Sequence, residues 1–252
     1  MDQLAFTAFL NRVFGPAVLA LLHAIGVHPK HPAAPIVNSF AMEVLVALIL
    51  LTFFLLVRMR LSVDRPGGLQ HLMEAIEGLI GGIAQEIIGH GYERYVPYLV
   101  TLGLFILVCN LIGLIPGLES PTGVPVVPLG CAIVTWVYYH IQGVREQGPI
   151  GYLAHFIGPQ DKDIPLIVRL GLPVLMFPVE VVSHLARILS LTVRLTANMF
   201  AGEMVTLVFF SLIPLFIPLP FQALHIFVAI IQTYIFVLLA CVYLGEATAH
   251  EH

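Results

Sequence analysis

Long apolar stretches alternate with short polar breaks along this chain, and the breaks set the expected elements. Residues 36–57, IVNSFAMEVLVALILLTFFLLV, hold a single acid, Glu43, near their start. At ~1.5 Å of rise per helical residue such a run reaches across ~30 Å of hydrocarbon. Residues 67–90 differ. Leu69, Leu72, Met73, Ile76, Leu79, Ile80, Ile83 and Ile87 recur at three- and four-residue spacing, with Gln70, Glu74, Glu77, Gln85 and Glu86 between them. That period predicts an amphipathic helix that lies on the membrane instead of crossing it. No charge falls between Arg94 and Glu119, so a second span is expected over 95–116. Ser120-Pro121-Thr122-Gly123 marks a turn, and a third span over 121–142 returns.

Residues 143–165, with Arg145, Glu146, Lys162 and glycine–proline steps, are expected as a cytoplasmic loop. From 166 to 211 only Pro173, Pro178 and Gly202 interrupt the run. A helix of that size is ~65–70 Å long at 1.5 Å per residue. It is too long to stand upright in a bilayer, so it tilts steeply or bends. Pro214, Pro218 and Pro220 make a turn, and a last helix is expected over 221–247. Ahead of the first span, residues 1–35 form an N-terminal peripheral segment. Asn11, Arg12, Gly15 and Pro16 break its apolar run into an expected helix pair, and HPKHPAAP (28–35) is a linker. Asp2 follows Met1 without a basic region, so no signal peptide is expected.

Composition turns this pattern into a fold class. The chain is 59% hydrophobic and 10% charged, with mean hydropathy +0.96. It is expected to be an all-α polytopic membrane protein with about five membrane-crossing helices plus an amphipathic interfacial helix. Its last two helices form a long, steeply tilted hairpin. Outside residues 180–203, Arg58, Arg60, Arg65, Arg94, Arg145, Lys162 and Arg169 gather on one proposed side, against Arg12 and Lys30 on the other. By the positive-inside rule the N-terminus is outside and the C-terminus cytoplasmic. The net charge of −4 says little about partners for a chain mostly in lipid, and no nucleic-acid partner is expected. Cys109, Cys131 and Cys241 fall in apolar spans and read as small core residues.

The candidate chemistry sits in residues 180–203, EVVSHLARILSLTVRLTANMFAGE. A seven-residue step returns to nearly the same face of a helix at ~100° per residue. Glu180, Arg187 and Arg194 share one such row, Ser183 and Ser190 another, and His184, Leu191 and Asn198 a third. In a soluble protein this stripe is a solvated face. At bilayer depth an arginine costs at least ~2.5–3.5 kcal/mol, so it faces protein or a water-filled path. The alternatives are that Arg187 and Arg194 snorkel to an interface or pair with Glu180. Glu203 lies nine residues beyond Arg194, on roughly the opposite side.

On the last helix His225 and Gln232 are seven apart, and Tyr243 is close to the same face. The proline turn lays this helix against the 180–203 stretch, which brings Glu203 and His225 to one depth as a candidate carboxylate–imidazole pair. Two polar stripes facing each other suggest an ion or proton path. Taken singly, His225 and Gln232 read as inter-helix hydrogen-bonding groups. No HExxH, G-x-S-x-G, Walker A or G-x-G-x-x-G occurs, so no catalytic, metal or cofactor site is expected.

The string SLTVRLTANMFAGEM resembles the signature of the subunit a family of F-type ATP synthases. Ser190, Leu191, Arg194, Leu195, Asn198, Met199, Ala201, Gly202 and Glu203 match its pattern. His225, Gln232 and TYIFVLLACVYL are similar to the family's last helix, and NLIGLIPGLESPT to its second-span exit. Many members carry Phe-Gly before the asparagine where this chain has Thr196 and Ala197, and GVPVVPLG replaces a polar stretch after the turn.

The resemblance implies a membrane stator subunit with two proton half-channels serving the carboxylates of a c-subunit ring. It couples proton translocation to ring rotation and ATP synthesis in a bacterial inner membrane. The implied partners are the c ring, the b subunits of the peripheral stalk, the remainder of the complex and the lipid bilayer. The implied ion is H+, with Na+ left open because the c subunit holds the ion. Arg194 is the implied essential charge. Asn198, Glu203, His225 and Gln232 line the outer half-channel, with Glu119 at its mouth. Glu180, Ser183, His184 and Ser190 line the inner one, and Arg187 stands between that channel and the interface. The rival is a stand-alone proton-coupled transporter or channel, which needs a mid-depth substrate site and internal repeats. No repeat relates the two halves.

Overall fold

The computed structural model describes residues 3–29, 31–32, 34–62, 66–115, 117–157, 166–212 and 218–249. Lys30, Arg65, Lys162, the side chain of Arg169, the end of the 143–165 segment and Pro214 of the turn lie outside the described residues. Among the described residues all regular structure is helical. The helices are α1 (Ala5–Ala24), α2 (Asn38–Met59), α3 (Gly68–Ile88), α4 (Val96–Ile112), α5 (Val126–Ile157), α6 (Leu166–Leu212) and α7 (Pro218–Thr248). Short 3-10 turns occupy Tyr92–Arg94 and Pro121–Gly123. The chain packs as two compact units: Met1–Leu72 with Gly103–Val127 and Leu195–Thr233, and Met73–Leu102 with Pro128–Arg194 and Tyr234–His252.

Four helices among the described residues are long and apolar enough to cross a membrane: Ala5–Ala24, Asn38–Met59, Met176–Phe209 and Leu219–Thr248. Val96–Ile112 is apolar but shorter. The fold is that of an all-helical polytopic membrane protein. At 47 residues, α6 is ~70 Å long, over twice the hydrocarbon thickness, so it cannot stand along the bilayer normal. The amphipathic α3 buries only Ile80 and Ala84.

The first unit departs from expectation at its N-terminus. Residues 5–24 form one continuous helix through Pro16 instead of a broken pair. Its buried face, Thr7, Leu10, Asn11 and Gly15, recurs at helical spacing. Asn11 holds the linker with both ends of its amide: Nδ2 donates to the Ile36 carbonyl at 3.0 Å, and Oδ1 accepts from the Ile36 N–H at 2.9 Å. Leu10 and Ile36 then pack with Ala41 and Met42. A proline costs one helical hydrogen bond, and a face anchored along its length outweighs that loss.

The second unit contains the other departure. Helix α5 does not stop near residue 142 but runs to Ile157, broken only at Gly148 (φ 73°) ahead of Pro149. Gly148 takes a left-handed conformation that other residues resist, and proline suits the first turn of the helix that resumes. The resumed turn brings Tyr152 back onto Gly143. A Cβ there would lie 2.4 Å from the Tyr152 ring and 2.8 Å from the Ala247 carbonyl of α7. Tyr98 and Tyr138 stack at 3.8 Å, Tyr98 Oη contacts Thr135 Oγ1 at 3.1 Å, and Arg94 pairs with Glu146. Of the polar residues of α5, Thr135 and Tyr139 are buried inside this unit.

Two glycines of α5 test this packing. Gly130 has nothing within 4 Å of an added Cβ, so Gly130→Ala is neutral or stabilising by up to ~1 kcal/mol. Gly143→Ala has to displace backbone and destabilises by about 1–3 kcal/mol. Thermal unfolding of the two variants in detergent checks the order, and equal midpoints would count against the close approach.

Candidate functional site

The polar residues of the first unit gather where the ends of α4, α6 and α7 meet the Pro121–Gly123 turn. Helices α6 and α7 pack against each other there: Phe209 stacks on Phe221 at 4.2 Å. The ring of His225 lies against Gly202, where a Cβ would stand 2.5 Å from Nδ1. Gly202 is therefore required at that position to admit the imidazole. His225 is buried, and its Nε2 has no hydrogen-bond partner among the described residues. A buried, unpaired ring nitrogen costs about 1–3 kcal/mol.

Glu203 and His225 do not form the expected direct pair among the described residues. The Glu203 carboxylate is instead held from the turn, where Oε1 accepts from the Ser120 N–H at 3.0 Å. Two glycines make room for it: a Cβ on Gly113 would lie 3.0 Å from Oε1, and one on Gly123 3.1 Å from Oε2. A backbone N–H is a donor that cannot rotate away, so the carboxylate is fixed while staying only half-buried.

Behind Glu203 runs a buried polar chain absent from the expected set. Ser120 Oγ lies 2.9 Å from the Cys109 carbonyl and 2.8 Å from Thr122 Oγ1. Thr122 Oγ1 donates to Asn110 Oδ1 at 2.7 Å. Asn110 Nδ2 reaches Thr233 Oγ1 at 3.4 Å, beside Gln232, which is also buried. Asn198 is half-buried. Glu119 is exposed and accepts from Asn38 Nδ2 at 3.5 Å. The signal for this chain was one asparagine in an otherwise apolar run, which has no spacing to amplify it.

The second unit brings together a different group. His184 Nδ1 and the Tyr139 hydroxyl are 2.8 Å apart, and His184 Nε2 lies 3.9 Å from Glu180 Oε2. Arg187 does not pair with Glu180. Its Nη1 meets Glu246 Oε2 of α7 at 2.6 Å, and its guanidinium sits over the Tyr243 ring at 4.6 Å. Seven helical residues rise ~10.5 Å, beyond ion-pair reach, whereas the i,i+4 step from Glu180 to His184 closes the gap. Tyr243 thus stacks on Arg187. Ser183 is half-buried and Ser190 exposed.

Arg194 is the last residue of the second unit on α6, and the first unit resumes at Leu195. Its side chain is exposed, and it makes no ion pair or hydrogen bond among the described residues. The neighbouring exposed positions of α6 include Ala186, Ser190, Ala197 and Ala201, small residues one or two turns apart.

The profile of the ATP synthase A chain family matches residues 40–245. The chain is 56% identical over 250 residues to ATP synthase subunit a of Koribacter versatilis, covering 99% of this chain and 98% of that one. It is 49% identical over 233 residues to ATP synthase subunit a of Solibacter usitatus, covering 92% and 95%. With an ATP synthase subunit a of Syntrophotalea carbinolica the identity is 42% over 208 residues, covering 82% and 84%. Candidate spanning helices, a family profile over most of the chain and relatives matched almost end to end agree: the chain belongs to the ATP synthase subunit a family, the bacterial membrane stators that carry the proton channel.

Proposed function

We propose that Arg194 separates two half-channels in this chain. The outer one is lined by Asn198, Glu203, His225 and Gln232 with Glu119 at its mouth, and the inner one by Glu180, Ser183, His184 and Ser190. One observation carries the reading. Every outer candidate falls in the first compact unit and every inner candidate in the second, with the change on α6 directly after Arg194. Arg187, paired with Glu246, is a structural charge at the inner end. The partner of Arg194 is then a carboxylate brought by another subunit, a c-subunit ring turning against the exposed side of α6. Small residues there let a ring helix approach closely. Peripheral-stalk b subunits hold the stator, and the transported ion is H+.

Arginine suits this position because it keeps its proton at any relevant pH and so cannot relay one. Its charge favours the ionised form of a passing carboxylate, which releases the carried proton. The same charge repels a proton moving directly from one half-channel to the other. Each charge moved through 100 mV yields ~2.3 kcal/mol, which the ring converts to torque.

Arg194→Ala should lower ATP-driven pumping by about 10²-fold or more, measured in vesicles with complex assembly confirmed by co-purification, and it opens a passive leak. Arg194→Lys fails as well, since a desolvated lysine can lose its proton and lacks the planar fork. Arg187→Ala is milder. An assembled Arg194→Ala complex pumping at the parent rate would refute the assignment.

Glu203→Gln and His225→Ala should each slow proton flow. Because the two groups do not touch, their effects on log rate add in the double variant, whereas a coupled pair gives less than the sum. Parent rates in both single variants would make the two groups structural only.

The orientation rests on the Lys/Arg asymmetry: N-terminus outside, C-terminus cytoplasmic. A cysteine at Thr248 should react with an impermeant reagent from the cytoplasmic side alone, and labelling from outside would sink the scheme.

A further inference from the structure

The inner candidates leave one cluster of the second unit unused. His140 of α5 lies at the centre of an aromatic group in which its ring centroid is 4.8 Å from that of His184. It is 4.5 Å from the ring of Tyr139, 4.2 Å from Trp136 and 5.8 Å from Tyr152. His140 Nδ1 is 2.8 Å from the Trp136 carbonyl. A carbonyl only accepts, so Nδ1 carries the hydrogen and Nε2 is the atom that can gain or lose a proton.

We propose that His140 is a second proton-handling residue of the inner path, coupled to His184 so that the two imidazoles share one proton. The inference rests on the reading of Glu180–Ser190 as the inner path. Two imidazolium ions at this separation repel strongly, so the pair titrates as a unit and holds its second proton poorly. The other charged and titratable groups of the cluster set the same limit. From α6, Glu180 faces His184 at 3.9 Å and favours a first proton there. Arg187 disfavours a second, and is itself balanced by Glu246 of α7. Tyr243 of α7 lies 5.9 Å from the Tyr139 ring, and Tyr139 and Tyr152 of α5 are neutral phenols.

The Tyr139 hydroxyl can donate to His184 Nδ1 when that nitrogen is bare and accept from it when it carries hydrogen. A proton arriving at His140 Nε2 makes an imidazolium still bound to the Trp136 carbonyl. The same proton leaves from Nε2, which restores the neutral ring. No bond other than N–H forms or breaks.

His140→Asn is the decisive variant, because its side-chain amide can still donate to the Trp136 carbonyl but does not titrate. In inverted vesicles the bath reaches the inner face. Pumping by the assembled complex, normalised to uncoupled ATP hydrolysis in the same vesicles, is followed against bath pH across the imidazole range of about 5 to 8. The parent should show a titration step there, and His140→Asn should lose or displace it. His184→Asn is the control. If His184→Asn alters the profile and His140→Asn leaves it as in the parent, this proposal fails while the inner path stands. If neither variant alters the profile, or the parent shows no step, the inner-path reading falls with it. Failure of both His140→Asn and His140→Gln to assemble would also overturn the proposal, since the residue would then be required for packing.

Discussion

A permanent positive charge on a membrane helix, with no ion-pair partner among the described residues of its own chain, constrains everything around it. Arg194 is exposed on α6 and makes no ion pair among the described residues. Arg187, on the same face by heptad spacing, is satisfied within the chain by Glu246 and Tyr243. In the proposed reading, this contrast divides a structural arginine from the one that serves the proton path. An unpaired guanidinium at depth costs at least ~2.5–3.5 kcal/mol, and water or a passing carboxylate offsets that cost. The family's proton channel brings water, and the proposed c-ring partner would bring the carboxylate.

The rest of the fold keeps the two sets of polar groups in separate packing units. In the first, Gly113 and Gly123 leave space for the Glu203 carboxylate and Gly202 for the His225 ring. In the second, Gly143 lets α5, its own folded-back turn and α7 approach within contact distance. Close backbone approach at these glycines holds long polar side chains in place where the surrounding lipid offers no hydrogen bonds. The buried chain from Ser120 through Thr122 to Asn110 works to the same end, because each member has its hydrogen bonds met by another.

Much of this was legible in the sequence because membrane helices announce themselves by length and by what interrupts them. The long α6 is legible in a run that only Pro173, Pro178 and Gly202 interrupt, and relatives agreeing almost end to end bear out the family and its function. Pro16 is a local signal that points to a broken pair in the N-terminal segment, whereas Asn11 gripping Ile36 is a tertiary one. The extension of α5 was hidden by Gly148-Pro149, which reads as a loop but acts here as a kink. Arg187 was offered Glu180 by heptad arithmetic, which keeps the face and ignores the ~10.5 Å of rise. Asn110, Thr122, Tyr139 and His140 stood as single polar residues in apolar runs, and such residues gain meaning only from what folding places beside them.

The central claim is that aqueous access changes sides at Arg194. The direct test is a set of single cysteines at Asn198 and Glu203 on one side and at Ser183 and Ser190 on the other, each in the assembled complex with Arg194 intact. A small membrane-impermeant thiol reagent is added from one face of the membrane at a time. The account predicts that the first two react only from the outer face and the last two only from the inner face. Reaction of either Asn198 or Glu203 cysteine from the inner face would contradict it.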